Sequence, residues 1–215
     1  LWFKLTDSYR IPSAELIIEE EIKHSRFISF LFHCQSYEEL KCALTNIKAD
    51  YPGANHYCYA FVAAEPGNTL AMGSSDDGEP SGSAGRPMLA TLQGADVGEI
   101  GAVVVRYFGG TKLGVGGLVR AYSSGIKQGL TQLETQLKQI RYPGLLVCDY
   151  NQLKDVEYLL AQYDGVIEER DFMEKVTLNF AIPKRFQTEL NRDLATMSQG
   201  LLAAKFDFHK SDSTH

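Results

Sequence analysis

The sequence predicts an α+β fold in two domains, and three observations carry that prediction. Of its 19 glycines, 15 lie between Gly67 and Gly129, so unusual backbone is concentrated in one stretch. Around that stretch, apolar residues switch between strand-like runs and helical spacing. From about Leu145 the pattern becomes β-α-β-β-α-β, the split order of a ferredoxin-like domain. The first domain is drawn as 1–140, the second as 141–209, and 210–215 as a disordered tail, with the join near residues 140–144.

Each element has its own signal. AELIIEEEIKHSRFISFLFHCQ reads as two strands or one bent pair, carried by Ile17, Phe27, Ile28, Phe30 and Phe32. Ser36 followed by Glu39 is a capping box, and Leu40, Leu44 and Ile47 continue at helical spacing until Pro52 and Gly53. NHYCYAFVAA is a strand, EPGN a turn and TLAMGSS a further short strand. SAGRPMLATLQ reads as a short helix and EIGAVVVRYF as a buried strand. Leu118, Tyr122, Ile126, Leu130, Leu133 and Leu137 then mark one face of a long helix that stops before Pro143. In the second domain, strand LLVCDY precedes a helix with Leu153, Val156, Leu160 and Tyr163 on one side. Strands GVIEERDF and KVTLNFAI follow, then a helix after Pro183 carrying Phe186, Leu190, Leu194 and Met197, and a last strand LLAAKFDF.

Composition excludes several classes. A chain of 215 residues, 44% hydrophobic and 22% charged, is ordinary for a globular protein that buries a real core. No apolar run approaches the ~18–20 residues of a membrane span. The start LWFKLTDSYR lacks the apolar segment and small-residue cleavage site of a signal peptide, and it carries no initiator Met. Cys34, Cys42, Cys58 and Cys148 form no CxxC pair, which argues against zinc or a disulfide framework and for a reducing cytoplasm. A net charge of −6 argues against a generally basic nucleic-acid coat but leaves room for a local patch.

One segment invites such a patch. RYFGGTKLGVGGLVR, residues 106–120, runs from a buried strand through Gly109, Gly110, Gly114, Gly116 and Gly117 into a helix, where backbone N–H groups can face an anion. It is not a Walker A loop, because Val115 and Gly116 stand where Lys and Ser/Thr are required. It is not a dinucleotide fingerprint either, since Val119 occupies the third glycine position. The bland account of these glycines is positive φ and close helix–strand packing. Charge supports the sharper one: no acidic residue lies between Glu99 and Glu134, while Arg106, Lys112, Arg120 and Lys127 are all present. Arg106 and Arg120 are expected to flank the loop and hold phosphate, with Tyr107 beside them. Internal pairing with Asp76, Asp77 or Glu79 is the competing use of these arginines.

The acidic turn SSDDGEPSG is good turn chemistry around Gly78. Asp76, Asp77 and Glu79 are also weak candidates for Mg²⁺, although no metal-binding spacing surrounds them, and no metal or cofactor is assigned. Ser74 and Ser75 lack the context of a nucleophile. His56 and Cys58 share a strand face and read as packed neighbours, not a catalytic dyad; no catalytic residue is assigned. The aromatics of HYCYAF and RYF are attributed to core packing in preference to base stacking.

The motifs Asp76-Asp77-Gly78-Glu79-Pro80, Gly82, Ala84-Gly85 and Pro87 precede Val104-Val105-Arg106-Tyr107-Phe108-Gly109-Gly110. Leu113-Gly114-X-Gly116-Gly117-Leu118-X-Arg120-Ala121-Tyr122 completes the set. Together with His56 they resemble the signature of the IMPACT (UPF0029, YigZ-like) family over roughly residues 17–135. Ser83 stands where a Thr is common in that family, and Lys112 lies at a variable position. The resemblance implies a first domain like domain 2 of ribosomal protein S5 and a second like domain V of elongation factor G. It also implies regulation of translation, although this chain has no room for the extra domain through which eukaryotic relatives bind a translational activator.

The leading expectation is therefore a non-enzymatic, translation-associated protein that binds RNA or the ribosome through an anion site at the glycine loop. A guanine- or adenine-nucleotide-binding protein or Mg-dependent phosphate-handling enzyme is the first alternative. A protein-interaction module is the second.

Overall fold

A computed structural model describes residues 8–206, so the expected tail at 210–215 lies outside the described residues. The described residues form two compact units, Tyr9–Lys138 and, with Ser8, residues 139–206. The fold is mixed α+β in both.

The first unit is built on a five-stranded antiparallel sheet in the order β2-β3-β6-β4-β5. The expected bent pair is the hairpin β2 (Leu16–Ile22) and β3 (Ser25–His33), whose turn residues Lys23 and His24 sit at φ 48° and 65°. Helix α1 (Tyr37–Asp50) starts where the capping box places it: the Glu39 N–H donates to the Ser36 hydroxyl at 3.1 Å. The Glu39 carboxylate reaches back to the Gln35 N–H at 2.8 Å, one residue earlier than the simple box. Strands β4 (His56–Val62) and β5 (Met72–Ser75) lead to helix α2 (Gly85–Gln93), the central strand β6 (Ile100–Tyr107) and the long helix α3 (Val115–Gln132).

Period-two alternation on β3 and β6 feeds two cores, one per sheet face. Phe27, Leu31, Ala102 and Val104 pack with Met88 and Leu92 of α2 and Leu118, Tyr122 and Ile126 of α3. Ile28, Phe30, Val103 and Val105 pack on the opposite face with Leu40 and Ile47 of α1. Arg106 falls in register with Ala102 and Val104, so its side chain is sent to the α3 face.

Two elements depart from expectation. The long helix ends at Gln132, and Thr135–Gln139 is a strand, β7, paired with the N-terminal strand β1 (Ser8–Pro12). Leu133 adopts an extended backbone at φ −63°, ψ 122°, so Leu137 leaves the helical stripe.

The second unit begins with β8 (Tyr142–Cys148), so Pro143 lies inside a strand and not in a linker. Helix α4 (Leu153–Gln162), β9 (Val166–Phe172), β10 (Val176–Ile182), a single 3₁₀ turn at Lys184–Phe186 and α5 (Gln187–Met197) follow. The three strands pair antiparallel in the order β8-β10-β9. Val176, Leu178, Phe180 and Ile182 alternate onto one face and bury against Val156, Leu160, Leu190 and Leu194 of the helices. Of the expected last strand, the described residues 201–206 pair at one bridge, between Lys205 and Leu145, and residues 207–208 lie outside the described residues. Among the described residues, no helix is long and apolar enough to cross a membrane.

Candidate functional site

The first strand residues of β4, the end of β6, the turn after β5 and the start of α3 converge at one end of the first unit's sheet. His56 is the register partner of Arg106 across the β4–β6 ladder. The Arg106 side chain is 6% exposed; its Nη1 donates to Glu79 Oε1 at 2.5 Å, which also accepts from the Tyr122 hydroxyl at 2.7 Å. Phe27 and Phe108 flank the guanidinium, with ring centroids 5.4 and 5.5 Å from it. The Arg106 Nε is buried with no hydrogen-bond partner. The internal use of an arginine, raised from sequence as the competitor to ligand binding, is thus the arrangement of Arg106. A buried ion pair holds when further donors satisfy the carboxylate, and Tyr122 supplies one. Burial first, then the neighbouring Cys58 and Glu79, pushes the Tyr122 phenol far up, so it keeps the proton that it donates to Glu79.

His56 Nδ1 lies 2.8 Å from the carbonyl oxygen of Asp77. A carbonyl only accepts, so Nδ1 carries a proton and Nε2 is left toward Glu79 Oε1, 3.8 Å away. The turn that holds the histidine is itself held by its two aspartates. Asp76 accepts the N–H groups of Ala84, Gly85 and Gly82 at 3.0, 2.8 and 2.7 Å, capping α2 from outside the helix. Burial alone would raise its carboxyl, but these backbone donors outweigh that and hold it low. Asp77 stands at φ 42° and accepts the Tyr57 N–H at 2.6 Å; Gly78 follows at φ 85°. Cys58 Sγ donates to the Asp76 carbonyl at 2.9 Å, and burial pushes its thiol up to about 12. His56 and Cys58 therefore face separate carbonyls and form no nucleophilic pair. Asp76, Asp77 and Glu79, the weak metal candidates, turn to separate partners. Among the described residues no three His, Cys, Asp or Glu gather as a metal-holding group.

The glycine loop has an internal reason for four of its five glycines. A Cβ at Gly109 would lie 1.9 Å from the His24 carbonyl oxygen, and one at Gly117 would lie 2.9 Å from the Leu113 Cβ. Gly110 and Gly114 adopt φ of 86° and 73°. Gly116 has neither constraint, and a Cβ there would meet nothing within 4 Å. Helix α3 has Gly114 as its N-cap, with no side-chain cap and no acidic residue in its first turn. Its first intrahelical donor is Leu118, bonded to the Gly114 carbonyl at 2.9 Å. The N–H groups of Val115, Gly116 and Gly117 are thereby left for something outside the helix.

A cavity of about 440 Å³ opens here. Asn55, His56, Glu79, Pro80, Arg106 and Phe108 line it from the sheet end, and Lys112, Leu113, Gly114, Val115 and Leu118 from the loop and helix start. Arg106 and Glu79 cancel, leaving the Lys112 ammonium and the positive end of α3, worth about half a charge, as the local balance.

The other basic residues lie elsewhere. Arg120, expected to flank the loop with Arg106, is exposed and lines a different cavity, of about 230 Å³, with Ile22 and Lys23. Lys127 lines a groove with Arg86 and Thr131. Position along the helix explains the scatter: Lys112 lies on the loop, whereas Arg120 and Lys127, seven residues apart, share nearly one side of α3 but stand about 10 Å apart along its axis. The Tyr107 hydroxyl donates to the Pro52 carbonyl at 3.2 Å, and its ring lies under Arg26. Phe108, attributed to the core from sequence, is 45% exposed and lines the cavity, its N–H held by Asn55 Oδ1 at 2.8 Å. A residue just past the end of a buried strand is the one sequence signal that could have placed it there.

Fold and site together define a class: a two-unit α+β protein whose larger unit carries a positively biased cavity at the start of its longest described helix. The chain matches the Impact N-terminal domain over residues 23–130 and a domain of unknown function, DUF1949, over residues 146–201. It is 47% identical over 196 residues to the IMPACT family member YigZ of Escherichia coli (strain K12), covering 91% of this chain and 96% of that protein. An IMPACT family member of Haemophilus influenzae is 43% identical over 90% of this chain and 94% of its own length. A crystal structure of an hypothetical protein superposes with a TM-score of 0.76 at 45% identity, covering 96% of this chain and 100% of that one. The chain belongs to the IMPACT family.

Proposed function

We propose that this protein is a cytoplasmic, non-enzymatic regulator of translation that binds RNA or the ribosome, holding an RNA phosphate at the start of α3. The observation that carries the reading is the first turn of α3, whose N–H groups at Val115, Gly116 and Gly117 have no intrahelical acceptor, with Val115 and Lys112 lining a cavity whose carboxylate is already neutralised. Arg120 and Lys127 add field around the site and do not touch the same phosphate. The finer fold reading belongs to this proposal. A first unit like domain 2 of ribosomal protein S5 and a second like domain V of elongation factor G would be translation-factor folds. The order Lys205-β8-β10-β9 in the second unit supports the latter, being the strand order of a split βαβ domain.

The rival, a Mg-dependent phosphate-handling enzyme, would need Asp76, Asp77 or Glu79 to leave the partners described above. The test is the affinity of a single-stranded RNA for the wild type and Lys112→Ala across a salt series. Loss of one phosphate contact is expected to flatten the slope of log K against log salt by about 0.7. Equal affinities and equal slopes for the two proteins would overturn the reading.

A further inference from the structure

We infer that the cavity takes one nucleoside 5′-monophosphate unit, with its terminal phosphate on the first turn of α3 and its base against Phe108; this rests on the phosphate reading above. Four observations converge on it. The cavity, at about 440 Å³, lies toward the lower end of the ~300–1,000 Å³ typical of small-molecule sites, room for one nucleotide and not for a duplex. Arg106 lines it almost wholly buried, with Nε lacking any partner, so the protein itself does not complete the guanidinium's hydrogen bonds. Gly116, next in the chain to the cavity-lining Val115, is the one loop glycine that neither φ nor packing requires, and its missing Cβ leaves the space around the first turn of α3 open. Phe108 is a large exposed ring held from behind by the Arg106 guanidinium at 5.5 Å and through its N–H by Asn55, which makes it a fixed stacking platform.

Charge selects the end of a chain over its middle. Lys112 and Arg106 against Glu79 leave one positive charge, and α3 adds about half of another. A terminal phosphomonoester, carrying about −1.5 to −2, matches that balance better than an internal phosphodiester at −1. The shared chemistry has two sources, a free mononucleotide or the 5′-phosphorylated end of an RNA.

The test measures binding of 5′-phosphorylated and 5′-hydroxyl hexaadenylate, AMP and inorganic phosphate to the full chain, its Gly116→Ala variant and its Phe108→Leu variant. The 5′-phosphorylated strand is expected to bind about tenfold tighter than the hydroxyl strand, the worth of one charge-assisted hydrogen bond. Gly116→Ala abolishes that difference without lowering the melting temperature, and Phe108→Leu weakens both AMP and the phosphorylated strand more than inorganic phosphate. AMP binding with neither strand bound would support the cavity assignment, make the free nucleotide its source and overturn the RNA reading. Equal binding of the two strands, unchanged in Gly116→Ala, would overturn the inference and leave the RNA reading standing. Binding of none of the four probes would overturn both.

Discussion

Glu79→Ala is expected to destabilise the first unit by about 3–5 kcal/mol, because it strands the Arg106 guanidinium in the core without its counter-charge. Denaturant unfolding would check it, with Tyr122→Phe as the milder comparison at about 1 kcal/mol. The same geometry makes Arg106→Ala a poor probe of ligand binding, since it too breaks the buried pair; Lys112 is the residue to change. Gly116→Ala runs the other way and should stabilise α3 by up to about 1 kcal/mol, because alanine is favoured over glycine in a helix and the added methyl meets nothing. Thiol chemistry gives a separate check. Of the four cysteines only Cys42 is exposed, and burial pushes Cys34 up to about 11 and Cys58 to about 12. A thiol reagent at pH 8 should therefore modify one cysteine quickly and the others only on unfolding. At this scale the sequence revealed which residue types gather, but not their pairing. That Arg106 serves Glu79 and Arg120 does not follows from strand register and helix rotation, which the linear charge count ignores.

Elements were legible where the signal is local. Ser36 and Glu39 announced α1 because a cap is built from residues three apart, and the alternation in KVTLNFAI announced β10 because one face is buried. The β1–β7 ribbon was not legible, since its strands are short, largely polar and more than a hundred residues apart, so neither carries its partner's signature. Glu99 fastens this region. It stands at φ 47°, accepts from the Tyr9 hydroxyl at 2.7 Å, from Gln35 at 3.0 Å and from Lys138, and lies 2.7 Å from His33 Nε2. Burial alone would raise its carboxyl, but Lys138, Tyr9, His33 and Gln35 together outweigh that and hold it down to about 2. A depressed carboxyl contributes stability that is present above its unfolded value near 4.5 and lost as pH falls toward 2. The wild type should therefore weaken across that window by on the order of 3 kcal/mol, and Glu99→Gln should be less stable at neutral pH with a flatter acid limb. Chemical unfolding at a series of pH values reads both.

The whole chain holds separate cores in its two units, and each is closed by its own sheet and helices. Calorimetry is expected to resolve two transitions. Phe180→Ala, at a fully buried position in the second core, should lower one of them by about 3–5 kcal/mol and leave the other in place. A single transition that moves as a whole would show that the units melt together.

The backbone of the glycine loop at Gly109 rests on the carbonyl of His24, where even a methyl group would collide, and the Gly109 N–H reaches the Ser25 hydroxyl at 3.2 Å. The tip of the β2–β3 hairpin is therefore the loop's seat. A turn of different shape there would tilt the strip of backbone that carries Lys112 and the mouth of α3, with no cavity-lining residue altered. Hairpin tip and glycine loop answer to one set of steric tolerances. A sequence that rewrites one must rewrite the other.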